Sequence, residues 1–108
     1  MVKIPENIRD IVEEYLEDLS SEIKIDKAIL FGSYAKGDYS VDSDVDLAIF
    51  SDSFRDMDHI ESIKYLLKKA RKYRGVDLQP ISFTNQDYEE RLGIVEEVLG
   101  TGIEVYTS

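Results

Sequence analysis

Residues 30–50 read LFGSYAKGDYSVDSDVDLAIF. The stretch opens and closes on apolar runs. Between them lie two glycines, three serines and four aspartates. KAILF, residues 27–31, is short, apolar and stopped by Gly32, the pattern of a buried strand running into a turn. VDLAIF, residues 45–50, is a second strand, with Asp44 and Asp46 at its start. Side chains alternate faces along a strand, so these two carboxylates point the same way, with Cα atoms roughly 6–7 Å apart. Val45 and Leu47 then face the core and anchor the pair.

The flanking sequence supplies helices. Ile4, Ile8, Ile11, Val12, Tyr15, Leu16, Leu19 and Ile23 recur at three- and four-residue steps and predict a helix over 5–23. Pro5 suits its first position. A second helix is expected over 55–73, with Met57, Ile60, Ile63, Leu67 and Ala70 on its apolar side. Lys68, Lys69, Arg71, Lys72 and Arg74 crowd its C-terminal end. Cations there complement the helix dipole, or they form a rim for a triphosphate or a partner. Gly75 ends that helix. VDLQPISF, residues 76–83, is a third strand, which Pro80 places at a sheet edge or shortens. Residues 84–102 read as one or two short helices capped by Thr84 or Asn85. IEVY, residues 103–106, closes the chain. This order predicts an α/β (α+β) domain with a mixed sheet flanked by helices.

Composition narrows the function. The chain has 108 residues, 43% of them hydrophobic, enough for one domain with its own core. There is no Cys, which excludes disulfides, thiol chemistry and Cys-ligated zinc. The one His, His59, has no second His with which to build a zinc site. Thirteen basic residues against 23 acidic ones give a net charge of −10, which repels a phosphate backbone and argues against direct nucleic-acid binding. No apolar run approaches the roughly 20 residues of a membrane span, and MVKIPENIRD, residues 1–10, lacks the apolar segment expected of a secretory signal. A cytoplasmic location is expected.

The glycine turn and the aspartates admit three readings. A P-loop would need Lys and Ser/Thr directly after the second glycine; Asp38 and Tyr39 follow Gly37. A calcium loop starting at Asp42 would need Gly at its sixth position and Glu at its twelfth; Leu47 and Ser53 stand there. The third reading survives. Backbone N–H groups at a Gly-Ser turn can hold phosphate oxygens, with the Ser33 hydroxyl as a further donor. Asp44 and Asp46 can share a pair of Mg²⁺ ions. Asp77, between Val76 and Leu78 at the start of the third strand, is the candidate third carboxylate. Asp38 and Asp42 read as ordinary turn residues. Tyr34 and Tyr39 flank the turn as packing residues or as a platform for a base.

These residues carry a resemblance. Gly32-Ser33, ten intervening residues and Asp44-x-Asp46 resemble the signature of the polymerase-β-type nucleotidyltransferase superfamily. More narrowly, the chain resembles the minimal nucleotidyltransferases that act as antitoxins beside HEPN-domain toxins. The resemblance implies a polymerase-β-like fold with a mixed four-stranded sheet and a single nucleotidyltransferase domain over 1–108. It implies that Gly32 and Ser33 hold the β- and γ-phosphates of ATP. Lys36, where many members have Arg, would be a nucleotide-binding cation. It implies that Asp44 and Asp46 bind Mg²⁺, two ions in all, and that Asp77 binds metal and helps deprotonate an acceptor hydroxyl. AMP would pass from ATP to a hydroxyl, a tyrosine, of a HEPN-type toxin, in a hetero-oligomer. The chain has no room for the acceptor domain of larger relatives. Two alternatives stay open: an antitoxin that neutralises by contact with its nucleotide site idle, and a small-molecule nucleotidyltransferase.

Overall fold

The computed structural model describes residues 4–40, 42–91 and 93–107. Helix α1 spans Glu6–Ser20, with Pro5 as the residue before it and Ile8, Val12, Tyr15, Leu16 and Leu19 buried. The expected helix ran three residues further. The hydroxyls of Ser20 and Ser21 donate to the carbonyls of Glu17 and Asp18. Such local side-chain bonds compete with a continuing helix. Strand β1 (Lys27–Phe31) leads through Gly32 into the short helix α2 (Ser33–Lys36), and β2 covers Val45–Phe50.

The expected helix over 55–73 divides. A 3₁₀ turn over Asp52–Asp56 comes first, capped by the Ser51 hydroxyl, which accepts from the Ser53 N–H. Helix α3 then spans His59–Ala70. Strand β3 (Leu78–Phe83), helices α4 (Asn85–Glu90) and α5 (Ile94–Thr101), and strand β4 (Ile103–Thr107) complete the chain. Thr84 caps α4 in a reciprocal capping box with Asp87.

The four strands lie in the order β3-β2-β1-β4. β1 is antiparallel to both neighbours, and β2 and β3 are parallel, joined through α3. This is the mixed four-stranded sheet that the sequence led us to expect. Pro80 sits mid-way along β3, which is an edge strand, as its missing N–H requires.

Both faces of the sheet are covered. Ala28, Leu30, Val45, Leu47, Ile49 and Leu78 pack against α1 and α3. Ile29, Phe31, Ala48, Phe50, Ile81 and Phe83 pack against Val95 and Val98 of α5. Among the helices, the buried Tyr15 hydroxyl donates to the Leu66 carbonyl at 2.8 Å and so ties α1 to α3. Lys69 pairs with Glu22, and Lys72 with Asp18 at 3.2 Å. Two of the five cations at the end of α3 are therefore engaged, one by α1 and one by the turn that follows it. No described helix is long and apolar enough to cross a membrane.

Candidate active site

The turn after β1 is built around a missing side chain. Gly32 has φ 75° and ψ −149°, a region that is essentially glycine-only. A Cβ placed there would collide with Oδ2 of Asp46 and lie 3.2 Å from its Cγ. Only hydrogen at Gly32 lets the turn approach the carboxylate. α2 starts at the next residue, Ser33, whose side chain is half-buried. Gly37, with φ 84°, ends α2 in the left-handed conformation. Fold and motif meet here: the register pairs Phe31 with Asp46, so the residue after Phe31 must pass over that aspartate.

The strands gather the three aspartates. Val45 pairs with Leu78 in the parallel ladder, and the Val45 N–H donates to the Asp77 carbonyl at 2.8 Å. Asp44 and Asp77, one step earlier on each strand, are therefore neighbours. Asp46 pairs with Gln79. By alternation Asp44, Asp46, Asp77 and Gln79 share the face that carries Ala48, Phe50, Ile81 and Phe83 further along. The α5-side core is thus apolar at one end of the sheet and acidic at the other.

The electrostatics reflect this crowding. Asp44 is raised above the ordinary aspartate value, first by its close hydrogen-bonding contact with Asp77 and then by the charge of Asp77. Asp46 is raised by burial, then by the charges of Asp44 and Asp77. Asp44 and Asp46, each held back from ionising by the carboxylates around it, make a site that favours a cation. All the donors are hard oxygens, which suits Mg²⁺ and not a soft metal. Among the described residues no three acidic or His side chains are already closed up as a metal cage. The fit to a divalent cation is therefore one of donor chemistry and charge.

The sequence did not single out Gln79. Its Nε2 donates to Oδ1 of Asp77 at 2.8 Å and holds that carboxylate in place. The available signal was its position two residues after Asp77, on the same face. Lys36 stands at the end of α2 and pairs with Glu97 of α5 at 3.9 Å, both side chains well exposed. It lies toward the α5 side, the side the aspartates face. His59 is the first residue of α3 and exposed. Tyr34 and Tyr39 stack on each other, with centroids 4.6 Å apart and planes 14° apart. An open cavity of about 940 Å³ lies on the α1 side of this cluster, with Asp77 in its lining.

Residues 6–108 match the family described as "Polymerase beta, Nucleotidyltransferase". The chain belongs to this nucleotidyltransferase family. Two Methanocaldococcus jannaschii proteins, each named "Putative protein adenylyltransferase", are related to it. MJ0141 is 32% identical over 103 residues, covering 91% of this chain and 98% of that one. MJ0604 is 43% identical over 61 residues, covering 53% and 59%. Two crystal structures share the nucleotidyltransferase fold. A Sulfolobus solfataricus protein described as a "putative nucleotidyltransferase" aligns with a TM-score of 0.69 at 20% identity, covering 94% of this chain and 81% of that one. A structure described as "the toxin-antitoxin with AMP-PNP" aligns at 0.63 and 21% identity, covering 93% and 73%.

Proposed function

We propose that this nucleotidyltransferase transfers AMP from ATP to a hydroxyl, a tyrosine, of a partner HEPN-type toxin and thereby neutralises it. The observation that carries the reading is the contact between Gly32 and Asp46. It joins the Gly-Ser turn and the acidic cluster into one locus. The relatives named as protein adenylyltransferases support AMP as the group and protein as the acceptor. The toxin–antitoxin neighbour with AMP-PNP supports ATP and a toxin partner.

In this reading the backbone at Gly32 and Ser33 and the Ser33 hydroxyl hold the β- and γ-phosphates, and Lys36 exchanges Glu97 for a phosphate oxygen. Asp44, Asp46 and Asp77 hold Mg²⁺, two ions, which would neutralise charge on the attacked phosphate and the departing pyrophosphate. Asp77, fixed by Gln79, accepts the acceptor's proton. The acceptor oxygen forms a bond to the α-phosphorus as the α-phosphorus bond to the pyrophosphate oxygen breaks. A cytoplasmic hetero-oligomer with the toxin is the working form.

The test is incubation with Mg²⁺ and α-labelled ATP, with and without a HEPN-type toxin as acceptor, read by intact mass. AMP on the partner, lost in Asp44→Asn, is the expected result. A stable complex with no transfer, and neutralisation intact in Asp44→Asn, would replace the enzyme by a contact antitoxin. Turnover of a small hydroxyl compound with no partner present would make it a small-molecule enzyme.

A further inference from the structure

Resting on the proposed transfer, we infer that the cavity on the α1 side of Asp77 receives the acceptor, a tyrosyl side chain with its flanking peptide, and not the nucleotide. Its lining joins the start of α1 (Asn7, Ile8), the turn before the aspartates (Tyr39, Ser43) and the loop before β3 (Val76, Asp77).

Charge decides what this space can hold. No Lys, Arg or His stands among its described lining residues, whereas Asp42 and Asp77 both do. A triphosphate placed there would meet two carboxylates and no Lys, Arg or His, so its only compensating charge would be the metal ions assigned to the acidic cluster. Lys36 lies instead beside α5. Gly32, Ser33 and Lys36 are absent from the described lining, to which α2 contributes Tyr34. With the polyphosphate assigned to Gly32, Ser33 and Lys36, the cavity is left for a neutral or cationic group.

Chemistry then narrows the occupant. The stacked Tyr34–Tyr39 pair, Pro5, Ile8 and Val76 offer an aromatic and aliphatic wall, and Asn7, Ser40 and Ser43 offer neutral hydrogen-bonding groups. Such a mixed lining suits an aromatic side chain with a polar tip. A volume of about 940 Å³ is near the top of the range for small-ligand sites, enough for the side chain and neighbouring peptide. The residue shared by cavity and acidic cluster is Asp77, the group placed to take the proton of an entering hydroxyl. The base of ATP is also flat and neutral, but a base bound here would occupy the approach to Asp77 that the acceptor needs.

The test uses ¹H–¹⁵N spectra of the full chain, titrated with N-acetyl-tyrosinamide, with and without saturating Mg²⁺·AMP-PNP. The expected result is tyrosinamide shifts at the amides of Asn7, Ser40, Gly75 and Val76, with nucleotide shifts centred on Ser33 and Lys36. Asn7→Trp, at an exposed helix position, fills the cavity. It should abolish the tyrosinamide shifts and leave the AMP-PNP affinity within about twofold, and Tyr39→Ala should weaken tyrosinamide about tenfold. Nucleotide shifts at the cavity amides, with AMP-PNP affinity lost in Asn7→Trp, would overturn the inference and give the cavity to the nucleoside. Tyrosinamide shifts elsewhere, or none at millimolar probe, would also overturn it. Failure of AMP-PNP to bind at all would sink the proposed function separately, and the nucleotide-free titration would still decide the cavity.

Discussion

Gly32 passes so close to the carboxylate of Asp46 that no side chain fits between them. Its φ of 75° with ψ of −149° adds a second restriction, independent of the first. Gly32→Ala should therefore destabilise the fold by about 1–3 kcal/mol from backbone strain alone, read by urea denaturation. Nucleotide affinity should fall as well, because the turn must move off Asp46. An alanine variant as stable as the parent would refute the close approach.

The raised carboxyls of Asp44 and Asp46 make a pH prediction with a definite sign. The folded protein holds these protons more tightly than the unfolded chain does. Their contribution to stability is thus full below the ordinary aspartate value of about 4 and is lost as pH rises through the raised values. At neutral pH the cluster strains the fold, and Mg²⁺ should relieve the strain. Melting temperature is expected to rise with Mg²⁺ in the parent. In Asp44→Asn it should start higher without metal and respond little to it. Equal Mg²⁺ responses in the two proteins would remove the cluster from metal binding.

Gln79 touches Asp77 and no other described polar side chain through a hydrogen bond. Gln79→Leu removes a bond to a charged acceptor, a loss of roughly 1.5–3 kcal/mol in the step where that carboxylate acts. Transfer should slow by about 10- to 100-fold while the melting temperature stays close to the parent's. A merely structural glutamine would instead lower the melting temperature and leave the transfer rate near the parent's.

Tyr15 tests the frame apart from the site. Its buried hydroxyl donates to the Leu66 carbonyl, and burial is the main cause that pushes its ionisation far above the ordinary tyrosine value. Tyr15→Phe removes this bond from a carbonyl that keeps its place in the α3 ladder and should cost about 0.5–1.5 kcal/mol in thermal or urea unfolding. AMP-PNP affinity, measured well below the melting temperature, should not change.

Much of this was legible in the chain. The strand at 45–50, Gly32 at its turn and the paired aspartates follow from period-two alternation and the place of a glycine. What was not legible came from long-range register. The Val45–Leu78 pairing sets Asp77 beside Asp44 and Gln79 beside Asp46, and no local pattern encodes that alignment. The pairing of Lys69 and Lys72 was equally hidden, because Glu22 and Asp18 lie more than 40 residues away in sequence. Met57 fitted the helical stripe but stands between the 3₁₀ turn and α3, because Ser51 ends β2 with its own local cap.

Pro80 has a consequence for assembly. A row of free N–H groups on an outer strand invites a foreign strand to dock and the sheet to grow from molecule to molecule. Proline in the middle of β3 breaks that row. The β3 side of the sheet is therefore closed to strand-by-strand extension, and a protein that binds along it must meet side chains instead of backbone.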